Sequence, residues 1–158
     1  MAIDKSPLAV EVCRMQGLRD VRLMDALKMT FADGEFDTAL LLSNNIGIAG
    51  NPEGLCVLLA GLHRVLHPQG RVLAECADYL LTAHPRDFRY IFRNTACGRY
   101  PGTFRLRVEY GQQCSPWFEW LKPRFGDVRR ISAETGWAVA RTLHVFRGSS
   151  HAFILEKV

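Results

Sequence analysis

The chain has 158 residues, 48% of them apolar, a size for one domain with a real core, and nothing in its composition suggests disorder. Five cysteines without a Cys-x-x-Cys pair (Cys13, Cys56, Cys76, Cys97, Cys114), no signal-peptide pattern and no apolar run near the roughly 18 residues of a membrane span predict a soluble, cytoplasmic protein. The net charge of +4 is uneven: residues 1 to 84 hold 7 basic and 10 acidic groups, residues 85 to 158 hold 13 and 6, which suits an anionic substrate or an arginine-rich solvated surface, and no nucleic-acid motif accompanies it.

Met1-Ala2-Ile3-Asp4 reads as the tail of an apolar strand ending in an acid. Ser6 caps a helix with Pro7 at its first position, where a missing N–H costs nothing. Leu8, Val12 and Met15 give that helix an apolar stripe, Gly17 closes it, and Val21 to Ala26 makes a second short strand. Phe31 to Glu35 is a turn. Residues 38 to 42 form a nearly continuous apolar run that stops at Ser43-Asn44-Asn45, which predicts a parallel strand covered on both faces. After a loop with Gly47, Gly50 and Gly54, Asn51 caps a helix that begins at Pro52 and carries Leu55, Leu58, Leu59, Leu62, Val65 and Leu66. His67-Pro68-Gln69-Gly70 turns the chain into a further strand reaching Ala77. This is a right-handed βαβ unit, and ligands gather at the carboxyl ends of such strands, which places Ser43, Asn44 and Asn45 where a ligand is expected.

Beyond Ala77 a helix is expected over Asp87 to Asn94, and the alternation of Phe104, Leu106, Val108 and Tyr110 with Arg105, Arg107 and Glu109 predicts a strand over Thr103 to Tyr110. Asp127 caps a helix carrying Val128, Ile131 and Ala133 and closed by Gly136. Trp137 to Phe146 and His151 to Val158 form an antiparallel hairpin around Arg147 to Ser150, at the sheet edge.

Parallel βαβ units that close in an antiparallel hairpin, with acids at strand ends, resemble the class I S-adenosylmethionine-dependent methyltransferases. Ile3-Asp4-Lys5-Ser6-Pro7 is similar to the family's second strand end, whose acid holds the cofactor's ribose hydroxyls, and Asp25-Ala26 to the third, which meets the adenine. Phe31 with Asp33-Gly34-Glu35-Phe36-Asp37 resembles the family's approach to the fourth strand. Arg64-Val65-Leu66-His67-Pro68-Gln69-Gly70 resembles the segment ahead of the fifth. The resemblance implies an α/β, Rossmann-like, mostly parallel sheet with helices on both faces and a C-terminal antiparallel hairpin. It implies one partial domain over residues 1–158, with an inserted region at about 79–125 as a substrate lid. The family's first strand and its glycine-rich loop would precede Met1, so the chain reads as N-terminally truncated.

The implied chemistry is transfer of the activated methyl of S-adenosylmethionine to a small-molecule acceptor, in which the protein mostly positions the reactants and excludes water. Asp4, Lys5, Asp25, Ala26, Ser43 and Asn44 are the cofactor-binding candidates; no catalytic residue and no metal site is assigned. His63 and His67 stand four apart without a third ligand and are read as surface residues. Tyr110, Trp117 and Trp120 serve either as an acceptor-pocket wall or as packing, and Arg86, Arg89, Arg93, Arg105 and Arg107 admit an anionic acceptor. Two other functions fit the same residues: a non-catalytic partner module that completes its sheet across a dimer, and another nucleotide-binding Rossmann enzyme in which Asp4 holds a ribose.

Overall fold

The computed structural model describes residues 1–82, 84, 85, 87–144 and 150–158. Its first unit is small: β1 (Ala2–Asp4), α1 (Pro7–Met15) and β2 (Val21–Leu23), the two strands parallel with Asp4 level with Leu23. Ser6 caps α1, its hydroxyl accepting the Ala9 N–H at 3.3 Å. The expected stripe of Leu8, Val12 and Met15 is not buried; these side chains are 74%, 50% and 80% exposed, and Val10 is the residue the helix buries. A two-stranded sheet offers α1 too little surface to cover more. The second strand is also shorter than predicted, because Asp25 caps a 3-10 turn over Ala26–Lys28.

The main sheet follows: β3 (Phe36–Leu41), a 3-10 turn over Asn45–Ala49, α2 (Pro52–Val65) and β4 (Leu66–Ala77). Asn51 caps α2 as predicted, its side-chain oxygen accepting the Gly54 N–H at 2.8 Å. Parallel β3 and β4 lose register between Phe36 and Thr38, so His67-Pro68-Gln69-Gly70 bulges within β4 where a turn was expected. The sheet order is β3, β4, β10 (Ser150–Lys157) and β9 (Trp137–His144), with β10 antiparallel to both its neighbours.

After β4 come α3 (Tyr79–Thr82), α4 (Asp87–Ala96), β5 (Thr103–Leu106), β6 (Glu109–Tyr110), β7 (Gln113–Cys114) and β8 (Phe118–Leu121). The predicted single strand is therefore two: β5 pairs antiparallel with β8, and β6 turns onto β7. Then come α5 (Phe125–Glu134), β9 (Trp137–His144) and β10 (Ser150–Lys157). Asp127 lies in the first turn of α5 and does not cap it; its carboxylate is taken by the Tyr100 hydroxyl at 2.7 Å. Arg86, the end of the predicted strand at Val145 and Phe146, and Arg147 to Ser149 of the predicted turn lie outside the described residues, and Ser150 begins β10.

Leu55, Leu58, Leu59 and Leu62 of α2 and Val128 and Ile131 of α5 pack with Val72, Ala74 and Cys76 of β4 and Phe153 and Leu155 of β10. Each buried leucine stabilises by about 1.5–3 kcal/mol. The opposite side of β3 differs from the expectation of two covered faces. Leu40 is level with Leu73, and Leu73 with Ile154, on the side away from α2 and α5, and Leu40 is 61% exposed.

Candidate functional site

The two predicted acids leave the same end of the small sheet. Asp4 uses Oδ1 to accept the Ser6 N–H at 2.7 Å, and Asp25 uses Oδ1 to accept the Leu27 N–H at 2.9 Å. Each carboxylate is thereby fixed by a backbone amide two residues on, an Asx-turn. The second oxygen of each makes no hydrogen bond among the described residues. Parallel pairing of β1 with β2 keeps the acids adjacent, and the Met24 N–H donates to the Asp4 carbonyl at 2.9 Å. Ala26 is half-buried in the 3-10 turn, while Lys5 is exposed.

At the carboxyl end of β3, Ser43 and Asn44 both have left-handed backbones, with φ of 56° and 60°. Two consecutive non-glycine residues there carry strain that their surroundings must hold. The Ser43 N–H donates to Glu75 Oε2 at 2.9 Å; Asn44 Oδ1 accepts the Ala77 N–H at 2.8 Å, and Asn44 Nδ2 donates to the Leu121 carbonyl at 3.5 Å. Both ends of the Asn44 amide therefore tie β3 to β4 and β8. Ser43 itself is exposed. Gly47 lets β8 approach, since a Cβ there would overlap the Trp120 indole and the Leu121 carbonyl.

Sequence reasoning missed the residues that hold these positions. Arg64 donates to the Phe31 carbonyl at 2.6 Å, the Met29 carbonyl at 2.7 Å and Asp33 at 2.8 Å, and its own carbonyl accepts the Gly34 N–H at 3.0 Å. The segments beginning at Phe31 and at Arg64, recognised separately in sequence, thus bind each other. Glu75 and Glu119, the latter accepting from Asn51 Nδ2 at 3.2 Å, had no local signal because their partners are distant in the chain.

Of the predicted aromatic wall, Tyr110 is 86% and Trp117 51% exposed, and Trp120 packs on Gly47. His67 is exposed, while His63 is half-buried: its ring stands edge-on to Trp137 with centroids 5.2 Å apart, and burial with nearby Lys157 lowers its pKa. Among the described residues no group of three metal-ligating side chains forms and no helix is long and apolar enough to cross a membrane. Burial pushes the Cys76 thiol up to about 12, which leaves it inert.

No protein-family model matches the sequence. No curated protein matches it either. Solved structures do. A methyltransferase dependent on S-adenosylmethionine from Bacteroides fragilis, in complex with S-adenosylhomocysteine, is similar at 25% identity and a TM-score of 0.78, covering 99% of this chain and 62% of its own. This chain therefore spans less than two thirds of that protein's length. A second from Methanosarcina mazei (15% identity, TM-score 0.73) covers 99% of this chain and 80% of its own. The CcbJ methyltransferase of Streptomyces caelestis (9% identity, TM-score 0.69) covers 99% and 73%. With the strand order and the acid-ended strands described above, the chain has the fold of the class I S-adenosylmethionine-dependent methyltransferases.

Proposed function

We propose that this chain forms the nucleoside-binding part of a methyltransferase that uses S-adenosylmethionine and acts on a small-molecule acceptor. The observation that carries the reading is the pair Asp4 and Asp25: adjacent strand-end carboxylates, each oriented by one backbone amide and each with an oxygen to offer. Such an arrangement fits a ribose and a base amino group. Asp4 would accept the two vicinal hydroxyls in charge-assisted bonds, Asp25 the amino group, and the Ala26 backbone would lie along the ring, with Lys5 at the rim. Ser43 and Asn44 would border the reacting centre from the end of β3. The cofactor supplies a sulfonium methyl that is already activated. What remains for the protein is to bind, orient and exclude water, in keeping with the lack of an assigned base.

Calorimetric titration of the chain with S-adenosylhomocysteine tests this, alongside Asp4→Asn. The expected outcome is saturable binding that the variant weakens by about 1–3 kcal/mol, the range for a lost charged hydrogen bond. Equal binding by both proteins would remove Asp4 from the site, and absence of binding by the unaltered chain would remove the reading for this chain.

A further inference from the structure

We propose that Arg105 and Arg107, laid on Trp117, hold an oxyanion of the acceptor, so that the molecule methylated carries a carboxylate or phosphate; this rests on the methyl-transfer reading above. In the β5–β8 ribbon Arg105 is opposite Glu119 and Leu106 opposite Phe118. Arg107 and Trp117 are the next residues outward on the two chains, just beyond the paired ones. Both guanidinium carbons lie over the indole, at 5.4 Å for Arg105 and 4.9 Å for Arg107.

The same ribbon face meets the segment that follows β3. Glu119 accepts from Asn51 and lies against Gly50, and Leu121 enters the main core. The arginine pair is thereby tied to the chain just beyond Ser43 and Asn44. A guanidinium resting on an aromatic face keeps its N–H edge outward, and that planar fork matches a carboxylate or phosphate in two parallel bonds. Among the described residues Arg105 is in no salt bridge, and the Arg107 partner, Glu109, is an exposed neighbour of the kind a ligand displaces at small cost. A third cation, Arg93, lies 5.0 Å over Tyr90, whose hydroxyl accepts the Arg105 N–H at 2.9 Å. The carboxylates on this face are Glu109 and Glu119, each already hydrogen-bonded.

The experiment titrates the whole chain with 2-naphthoate, 2-naphthyl phosphate and neutral 2-naphthamide. At least one anion should bind about tenfold or more tightly than the amide, as a charge-assisted bond requires, and the better anion separates carboxylate from phosphate acceptors. Arg105→Gln with Arg107→Gln should abolish that preference while the thermal midpoint holds. If the double variant fails to fold, single Arg105→Gln, whose side chain is in no salt bridge among the described residues, should reduce the preference. Equal affinity for anion and amide, no binding of either anion, or a preference that survives the substitutions would overturn the proposal. S-adenosylhomocysteine titrated in parallel reads the nucleoside site independently, so its failure with anion binding intact would strike the methyl-transfer reading, and with it the anion's role as methyl acceptor, while the arginine pair would stand as an anion site.

Discussion

Asn44 shows how one side chain joins strain to structure. Its left-handed backbone is tolerated by asparagine better than by most residues, and its amide occupies the Ala77 N–H and the Leu121 carbonyl. Asn44→Ala should lose about 2–4 kcal/mol in urea denaturation, from the orphaned amide and the backbone cost together. Asn44→Gly, which keeps the backbone free, should lose about 1 kcal/mol less; equal losses would show that the left-handed turn is not strained. Cys76 makes a pH prediction. Its folded thiol holds a proton to about 12 against an ordinary value of 9.0, so its contribution to stability is full below pH 9 and falls as pH rises from there through 12. Tyr79 and Tyr100, also raised by burial, act in the same direction at still higher pH. Stability measured between pH 8 and 10 should decline, and Cys76→Ala, though less stable at neutrality, should show a flatter slope. The residue-scale sites were only partly legible in sequence. Asp4 and Asp25 ended apolar runs and could be named, whereas Glu75 and Glu119 act across distances of sequence that no local pattern encodes.

At the scale of elements, helix starts were the most legible features, because Ser6-Pro7 and Asn51-Pro52 cap by local chemistry and both helices begin there. Gly17 and Gly136, with φ of 89° and 82°, close their helices as read. Strand ends were less legible. The alternation from Thr103 to Tyr110 was real, yet β5 and β6 choose different partners, and pairing is not written in a single strand. Arg64 is the element-scale tie that matters most. Its two nitrogens hold the Phe31 and Met29 carbonyls, fixing the link between β2 and β3 onto α2. Arg64→Lys cannot fork to both and should destabilise by about 1–2 kcal/mol in thermal denaturation. An unchanged midpoint would show that the link is held by burial of Phe31 alone.

Across the molecule, one helix pair and one sheet face make the main core, while apolar side chains on α1, β3 and α4 stay exposed. Leu8 and Met15 of α1, Leu40 of β3, and Phe92 of α4 are each more than half exposed. The apolar run of β3 predicted cover on both sides because periodicity reports what a strand can bury and not what is present to bury it. The α/β class and its order of elements were legible because helices and strands alternate with clear caps; the arrangement of β5 to β8 depended on long-range pairing. The strand ends near Asp4 and Asp25 are the proposed nucleoside site. The most direct test is to follow backbone amide resonances of the labelled chain during titration with S-adenosylhomocysteine. The largest shifts are expected over Asp4 to Ser6 and Asp25 to Leu27, with smaller ones at Ser43 and Asn44. Saturating shifts confined to other parts of the chain would contradict this assignment.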